Sequence, residues 1–351
     1  LPDERVELDV RASKRGALRG RLLGVLDPSP LRVEPRCPEV ERCGGCPLMW
    51  ADQDLQRDIK LEYLREACEG LPGADSVELE WIPSELGFHY RRRARLAWDG
   101  DAFGYRQLGS RRVANIEICF VIEPQLQAAW ELTRGRLRGV VRGSGDVRLE
   151  RSGADDVVVG LSTVDVQPPE AFRACEALSA EPSIAGVTLS TDASASAASW
   201  GETTVTLGVG QHALIAPPSS FAQANEGINR RLVDAVVALA EPEGARVLEL
   251  HSGVGNFTVP LAAASPSALI AVEQNPDAVE ACRRNLADRG LSARVTVGDA
   301  STPPKGRYDV LVLDPPRQGA RAAGYRLDTV MGFDMFLQTA HLESLVRLIR
   351  T

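Results

Sequence analysis

The chain has 351 residues, with 40 Lys and Arg against 48 Asp and Glu for a formal charge of −8, 44% hydrophobic and 25% charged. That length suits about two domains, each burying its own core, and the composition excludes collagen-like, low-complexity and disordered classes. No run approaches the ~20 apolar residues of a membrane span and no charged-then-apolar signal segment opens the chain, so a cytoplasmic protein without membrane contact, and a monomer, is expected.

The chain starts at Leu1 rather than Met, so some preceding sequence is expected to be missing. Residues 1–36 read as short β segments closing in the turn-rich Asp27-Pro28-Ser29-Pro30. Asp52 to Glu69 places Leu55, Ile59, Leu61, Tyr63, Leu64 and Ala67 among charges, an amphipathic helix. From Phe88 to about Ile215 the pattern is mostly short strands separated by Gly, Ser and Asp. The first part of this region holds seven arginines (Arg91, Arg92, Arg93, Arg95, Arg106, Arg111, Arg112) against Asp99 and Asp101. Such a stripe on an acidic protein suits local phosphate contact, here assigned to Arg91, Arg92, Arg93 and Arg106; the alternative is a solvated strand pair.

Beyond the loop Ala216-Pro217-Pro218-Ser219-Ser220 the character changes to a helix over 225–240 and then strands alternating with helices, the pattern of a parallel sheet. The expected division is therefore 1–36, 37–215 and 216–351, with the 52–69 helix free to pack on the last unit.

Seven cysteines in a long chain without a secretory signal make a disulfide framework an unsuitable reading. Three are clustered as Cys37, Cys43 and Cys46, with Gly44 and Gly45 allowing a tight backbone around one centre. Cys119, after the strand-like Val113 to Ile118, is the fourth candidate, because Cys68, Cys175 and Cys282 sit in helix-like core patterns. Three clustered thiols and one distant one suit an iron–sulfur cluster better than paired zinc knuckles; zinc and unligated thiols remain the alternatives.

In the third unit, the strand Arg246 to Leu250 runs into His251-Ser252-Gly253-Val254-Gly255-Asn256-Phe257, a glycine turn that lets a cofactor approach the backbone. Strand 268–272 ends at Glu273, strand 294–297 precedes Asp299, and strand 308–313 runs into Asp314-Pro315-Pro316-Arg317. Carboxylates at one sheet edge suit ribose hydroxyls and a sulfonium but repel a diphosphate, so S-adenosylmethionine is favoured over a dinucleotide. Thr258 at the third glycine position agrees.

Several runs together resemble the iron–sulfur-containing RNA uracil-5-methyltransferases. They are Cys37 to Cys46, Tyr90-Arg91-Arg92-Arg93-Ala94-Arg95-Leu96, Phe103-Gly104-Tyr105-Arg106 with Ile116-Glu117-Ile118-Cys119, Phe221-Ala222-Gln223-Ala224-Asn225, Asp314-Pro315-Pro316-Arg317, and Asp334-Met335-Phe336-Leu337-Gln338-Thr339-Ala340-His341-Leu342-Glu343. The resemblance spans nearly the whole chain. It implies an α/β, Rossmann-like class I methyltransferase domain, a central β-rich domain with a four-cysteine [4Fe-4S] cluster, and an N-terminal OB-like TRAM domain of which residues 1–36 match only the latter half. It further implies that Gln223, His251, Gly253, Gly255, Asn256, Glu273, Asp299 and Asp314 line the S-adenosylmethionine site, with His251 replacing the family's aromatic residue, and that Glu343 is the general base. A first-turn helix carboxylate is the structural alternative for Glu343.

The resemblance also implies a Ser-Cys-x-Pro nucleophile strand between the D-P-P-R turn and the closing segment. Here Gly319-Ala320-Arg321-Ala322-Ala323 joins Gly324-Tyr325 directly, so a strand and helix with that cysteine are absent; the expectation is that the whole protein carries residues this sequence omits, with a natural deletion as the alternative. The expected function is methylation of uridine C5 in structured RNA, with 23S rRNA as substrate; a tRNA T-loop enzyme and a catalytically inactive RNA-binding homologue are the alternatives. An amino-group methyltransferase fits less well, since Arg317 stands where such enzymes carry a stacking aromatic.

Overall fold

A computed structural model describes residues 1–14, 17–191, 197–208, 213–218, 220–315 and 324–351. Strands β1 (Arg5–Lys14) and β2 (Ala17–Asp27) form a two-stranded antiparallel hairpin, longer than the short segments expected. Helix α1 (Gln53–Cys68) follows, its N-cap Asp52 accepting from the Leu55 N–H at 2.7 Å. The buried stripe on α1 is Gln56, Lys60, Leu64 and Cys68 at i, i+4 spacing. This corrects the expected apolar face: Tyr63 and Ala67 are exposed, and two of the four inward residues are polar.

After β3 (Leu79–Ile82) come β4 (Arg93–Asp99), β5 (Ala102–Arg106), β6 (Val113–Asn115), α2 (Pro124–Leu137), β7 (Ser144–Ser152), β8 (Asp156–Ser162), α3 (Pro169–Ser179), β9 (Ile184–Ser190) and β10 (Ala198–Gly201). The strands from β4 onward make one seven-stranded sheet, order β10-β9-β8-β7-β4-β5-β6. The two helices, absent from the strand-rich expectation, cover one face, and α3 is the crossover that lets β8 and β9 run parallel. Trp98, Phe103, Trp130 and Leu149 lie in the core between.

Next come β11 (Val205–Leu207), β12 (Leu214–Ala216), α4 (Glu226–Ala240), β13 (Arg246–Leu250), α5 (Thr258–Ala263), β14 (Ala268–Glu273), α6 (Pro276–Ala287), β15 (Arg294–Val297) and β16 (Val310–Leu313). The last four strands form a parallel sheet, order β15-β14-β13-β16, whose central β13 is buried along nearly its whole length. The strand and helix positions expected from periodicity and glycine turns match these elements closely.

The chain closes with β17 (Tyr325–Phe333) and β18 (Glu343–Arg350), antiparallel to each other; β17 also pairs in parallel with β3. Helix α4 packs on both β16 and β18, so one apolar helix face underlies two separate sheets. No ladder among the described residues joins β16 to β18, and Leu311, Leu313, Val346 and Leu348 are exposed on these neighbouring edges. Alternation does the rest, since Val310, Val312 and Leu345 turn toward the α4 core. No helix among the described residues is long and apolar enough to cross a membrane.

Candidate active site

The glycine turn after β13 takes backbone that side chains resist. His251, Gly253 and Gly255 have φ of 65°, 54° and 102°. At Gly255 a Cβ would lie 3.0 Å from Cys282 Sγ and 3.3 Å from Val259, crowded as well as strained, whereas at Gly253 the space is open. Glu273, at the end of β14, accepts from the Gly253 N–H at 3.0 Å and from the Asn275 N–H at 2.8 Å. It therefore fixes the loop as well as facing the sheet edge.

Asp299 accepts from the Ser301 N–H at 2.8 Å, which holds its carboxyl below the usual range. Burial raises Asp314, and His251 opposes that rise. Gln223 and Ser252 are buried, and Gln223 Oε1 and Ser252 Oγ have no hydrogen-bond partner among the described residues. Unpaired buried acceptors and donors cost free energy unless a ligand meets them, so these atoms fit a polar cofactor at this edge. Asn256 does something different: its amide pairs reciprocally with Asn229 of α4 at 2.9 and 3.0 Å, tying the loop to the helix.

Glu343 is the first residue of β18, opposite Phe333, and not in a helix's first turn. Burial pushes its carboxyl up to about 7, and the Asp314 charge adds to the rise. Two carboxylates on two sheets are thus electrostatically linked. Beneath them, Glu249 of β13 was missed by sequence reasoning because it reads as part of an apolar strand. It is 1% exposed, and burial pushes it up to about 8 against the opposing influence of the Thr258 hydroxyl. Pro316 and Arg317, and the 319–323 link, lie outside the described residues.

Cys37, Cys43, Cys46 and Cys119 line one cavity with Met49 and Tyr105. The Gly45 N–H points at Cys43 Sγ at 3.4 Å, and Cys119 Sγ lies 3.8 Å from the Tyr105 hydroxyl. Burial pushes Cys43 to about 11 and Cys46 to about 12, and the neighbouring thiols add to both. Among the described residues no three His, Cys, Asp or Glu side chains are gathered closely enough to hold a metal ion. The other thiols belong to cores: Cys68 against β17, Cys175 in α3 and Cys282 behind the glycine turn.

The four arginines separate. Arg92 is a correction: it is 3% exposed, with its guanidinium bonded to Glu226 at 3.2 Å, the Arg151 carbonyl at 2.7 Å and the Thr206 carbonyl at 3.3 Å. That enclosure shuts it off from any phosphate. Arg91 lies over the Tyr90 and Phe336 rings at 5.6 and 5.9 Å. Arg93 donates to the Ala222 carbonyl at 2.8 Å and lies 5.8 Å from the exposed Phe221 ring. Arg106 is solvent-exposed, 3.7 Å from Asp146.

A further set was not singled out from sequence: Gln56 and Lys60 of α1 reach Gln338 and Asp334 in the segment before Glu343. The signal available was their position on the same helix stripe as Leu64.

A methyltransferase small domain family model matches residues 228–333. The 23S rRNA (uracil(1939)-C(5))-methyltransferase RlmD of Pectobacterium carotovorum is 31% identical, over 98% of this chain and 86% of that protein. The protein of the same name from Shewanella frigidimarina is 28% identical, over 99% and 89%. The fold is that of the Pyrococcus abyssi tRNA (uracil-54, C5)-methyltransferase solved with S-adenosyl-L-homocysteine, with a TM-score of 0.78 and 21% identity over 99% of this chain and 93% of that one. With 31% identity to the Pectobacterium protein over 98% of its own residues, the chain belongs to the family of RNA uracil-C5 methyltransferases.

Proposed function

We propose that this protein methylates C5 of a uridine in structured RNA, with 23S rRNA as substrate and S-adenosylmethionine as methyl donor. The observation that carries this reading is the glycine turn after β13, whose Gly253 N–H is held by Glu273 and whose buried Ser252 Oγ has no partner among the described residues, with Asp314 following the adjacent β16. When bound, the donor supplies an electrophilic methyl group. Gln223, the His251–Gly255 turn, Glu273, Asp299 and Asp314 would hold it, with carboxylates suited to the ribose and the positive sulfur. Glu343, titrating near neutrality, is suited to take the proton from C5 once the methyl group is in place. Arg93 and Phe221 at the mouth offer a cation and a ring face for an unstacked nucleotide.

The four clustered thiols support a [4Fe-4S] cluster as the resident group of the β-rich lobe: their donor set suits it, although they are not drawn together as ligands. Methyl transfer needs no electron, so its role here is to shape the lobe. Anaerobic purification should give brown protein with about four irons per chain; colourless protein with stoichiometric zinc would reject the cluster.

One observation favours a second reading, a catalytically inactive RNA-binding homologue. Cys68, which packs in one apolar cluster with Leu342, is a buried core thiol, and among the described residues no strand pairs with the free edge of β16 or of β18. Labelled methyl transfer to undermethylated 23S rRNA and tRNA separates the readings. Incorporation at one 23S uridine supports the enzyme; RNA binding without incorporation, and without an adduct to 5-fluorouridine RNA, supports the homologue.

A further inference from the structure

A glutamine offers two amide donors and an oxygen acceptor, besides its own backbone N–H and C=O. Gln338 uses both backbone groups and both ends of its amide on residues remote in sequence. Its N–H donates to Gln56 Oε1 at 2.9 Å and its carbonyl accepts from the Leu48 N–H at 3.0 Å. Its side-chain Oε1 accepts from Gln56 Nε2 at 3.0 Å, and its Nε2 donates to the Gly87 carbonyl at 3.2 Å. It is 3% exposed, with φ at 67°, a conformation that costs a side-chain-bearing residue about 1 kcal/mol or more and persists only when its surroundings impose it.

What those anchors join is specific. Leu48 is two residues from Cys46, and Met49, next along, lines the thiol cavity. Gln56 is on α1. On the other side, the chain from Gln338 to Glu343 is short, and hydrogen bonds tie the residues on both sides of Gln338. Thr339 donates to the Phe336 carbonyl at 2.8 Å and accepts from the His341 N–H at 3.2 Å, while the Tyr90 hydroxyl donates to the Leu337 carbonyl at 2.9 Å. Between Gln338 and Glu343 the His341–Thr339 hydrogen bond closes a tight turn, so a shift of Gln338 is carried toward Glu343.

We propose that Gln338 is a positioning residue for the Glu343 carboxylate, locking the segment that carries it onto α1 and the thiol-bearing loop. This rests on the reading of Glu343 as the base. The charged group facing Glu343 is Asp314 at the end of β16; β17 opposes it with Phe333, and α4 with an apolar face. Gln338 adds no charge, so its influence is on where the carboxylate sits relative to Asp314 and solvent.

The test uses the full chain, with Gln338→Gly, which tolerates the left-handed backbone but lacks the amide, and Gln56→Ala, which removes two of the anchors and leaves Gln338 in place. Carboxyl-carbon NMR, with Glu343→Gln identifying the resonance, follows its titration. Both variants should move that titration by a full pH unit or more toward the ordinary glutamate range. Both should lower kcat on RNA by roughly 10- to 100-fold while KM for RNA and donor stays within about twofold, as expected for a misplaced reacting group. A purely structural role would lower the melting temperature but leave the titration and kcat of the folded protein unchanged, and that result overturns the proposal. If the wild-type protein methylates no RNA, the functional reading fails, and the Glu343 titration alone still decides whether Gln338 positions it. Should Gln338→Gly not fold, Gln56→Ala decides.

Discussion

Lys60 of α1 donates to Asp334 at 2.6 Å across 274 residues of sequence, with its side chain wholly buried. The same ammonium donates to the Phe336 carbonyl at 3.1 Å, so one cation stitches the helix to the stretch that leads into β18. Burial lowers the Lys60 pKa while Asp334 works against that change. Removing one partner leaves the other charge enclosed and uncompensated. Lys60→Ala is therefore expected to lower unfolding stability by about 3–5 kcal/mol. Lys60→Met with Asp334→Leu should recover more than half of that loss, because no lone charge is left. Urea unfolding of the single and double variants checks both values; a Lys60→Ala loss below about 1 kcal/mol would mean the pair is not enclosed in solution.

Glu343 gives a pH prediction with a definite sign. Its carboxyl is raised to about 7 by burial first and by Asp314 second, so the base form grows in as pH rises through 7. Methyl transfer under kcat conditions should rise along a single-proton limb near that pH. Glu343→Gln should lose at least about 100-fold. Asp314→Asn removes the second cause, so whatever activity survives should have its limb displaced to lower pH. A flat profile between about pH 5.5 and 8.5 would remove Glu343 from the chemistry.

Much of this arrangement was legible because it is local. The β13 to β16 strands, the glycine turn and the acids that follow each strand are written in consecutive residues, and a parallel sheet aligns their ends without further instruction. What escaped was non-local. Nothing in Leu79–Ile82 announces that it pairs with β17 far along the chain, and that pairing is what brings α1 beside Asp334 and Gln338. Arg92 looked like a phosphate contact because its neighbours Arg91 and Arg93 do; only the Arg151 and Thr206 carbonyls and the approach of Glu226 from α4, all remote in sequence, enclose it. Glu249 escaped for the opposite reason, as a polar residue inside an apolar run whose burial depends on both sheet faces being covered.

Glu249 also predicts how stability responds to pH. Its folded pKa, about 8, lies above the ordinary 4.5, chiefly through burial, so the native state holds a proton the unfolded chain has lost between those values. Its contribution to stability is complete below about pH 4.5 and disappears as pH rises through 8. Glu249→Gln keeps the shape without the ionisation. Relative to wild type it should gain stability steadily from about pH 5 to pH 9, by up to about 4 kcal/mol at the upper end. Parallel stability curves for the two proteins across that range would show that Glu249 is hydrated or paired in solution.

The separation of the arginines yields a last expectation, one that tells phosphate contact from architecture. Arg92 and Arg151 converge on Glu226, the first residue of α4, and Arg151 also reaches Glu123, so this buried network clasps the β-rich sheet to the methyltransferase lobe. Arg92→Ala leaves Glu226 paired with Arg151 and Arg230 but strips a donor from the buried Arg151 and Thr206 carbonyls, and should cost about 1–3 kcal/mol of stability. Arg106 is exposed, and its removal should leave the melting temperature unchanged within a degree or so. If Arg106 and Arg93 meet phosphates, replacing each with Ala should weaken binding to a 23S rRNA fragment uniformly across sequences. Each such replacement should also reduce the slope of log affinity against log salt by about 0.7 to 0.9, because one fewer phosphate is neutralised. Arg93→Ala should show an additional weakening with unpaired RNA, because the Arg93 guanidinium also supports Phe221, whose exposed ring is open to stack on a base. Fluorescence anisotropy at several salt concentrations measures affinity, slope and the preference for unpaired RNA together. Unchanged slopes for both variants would move the RNA path to another face of the sheet.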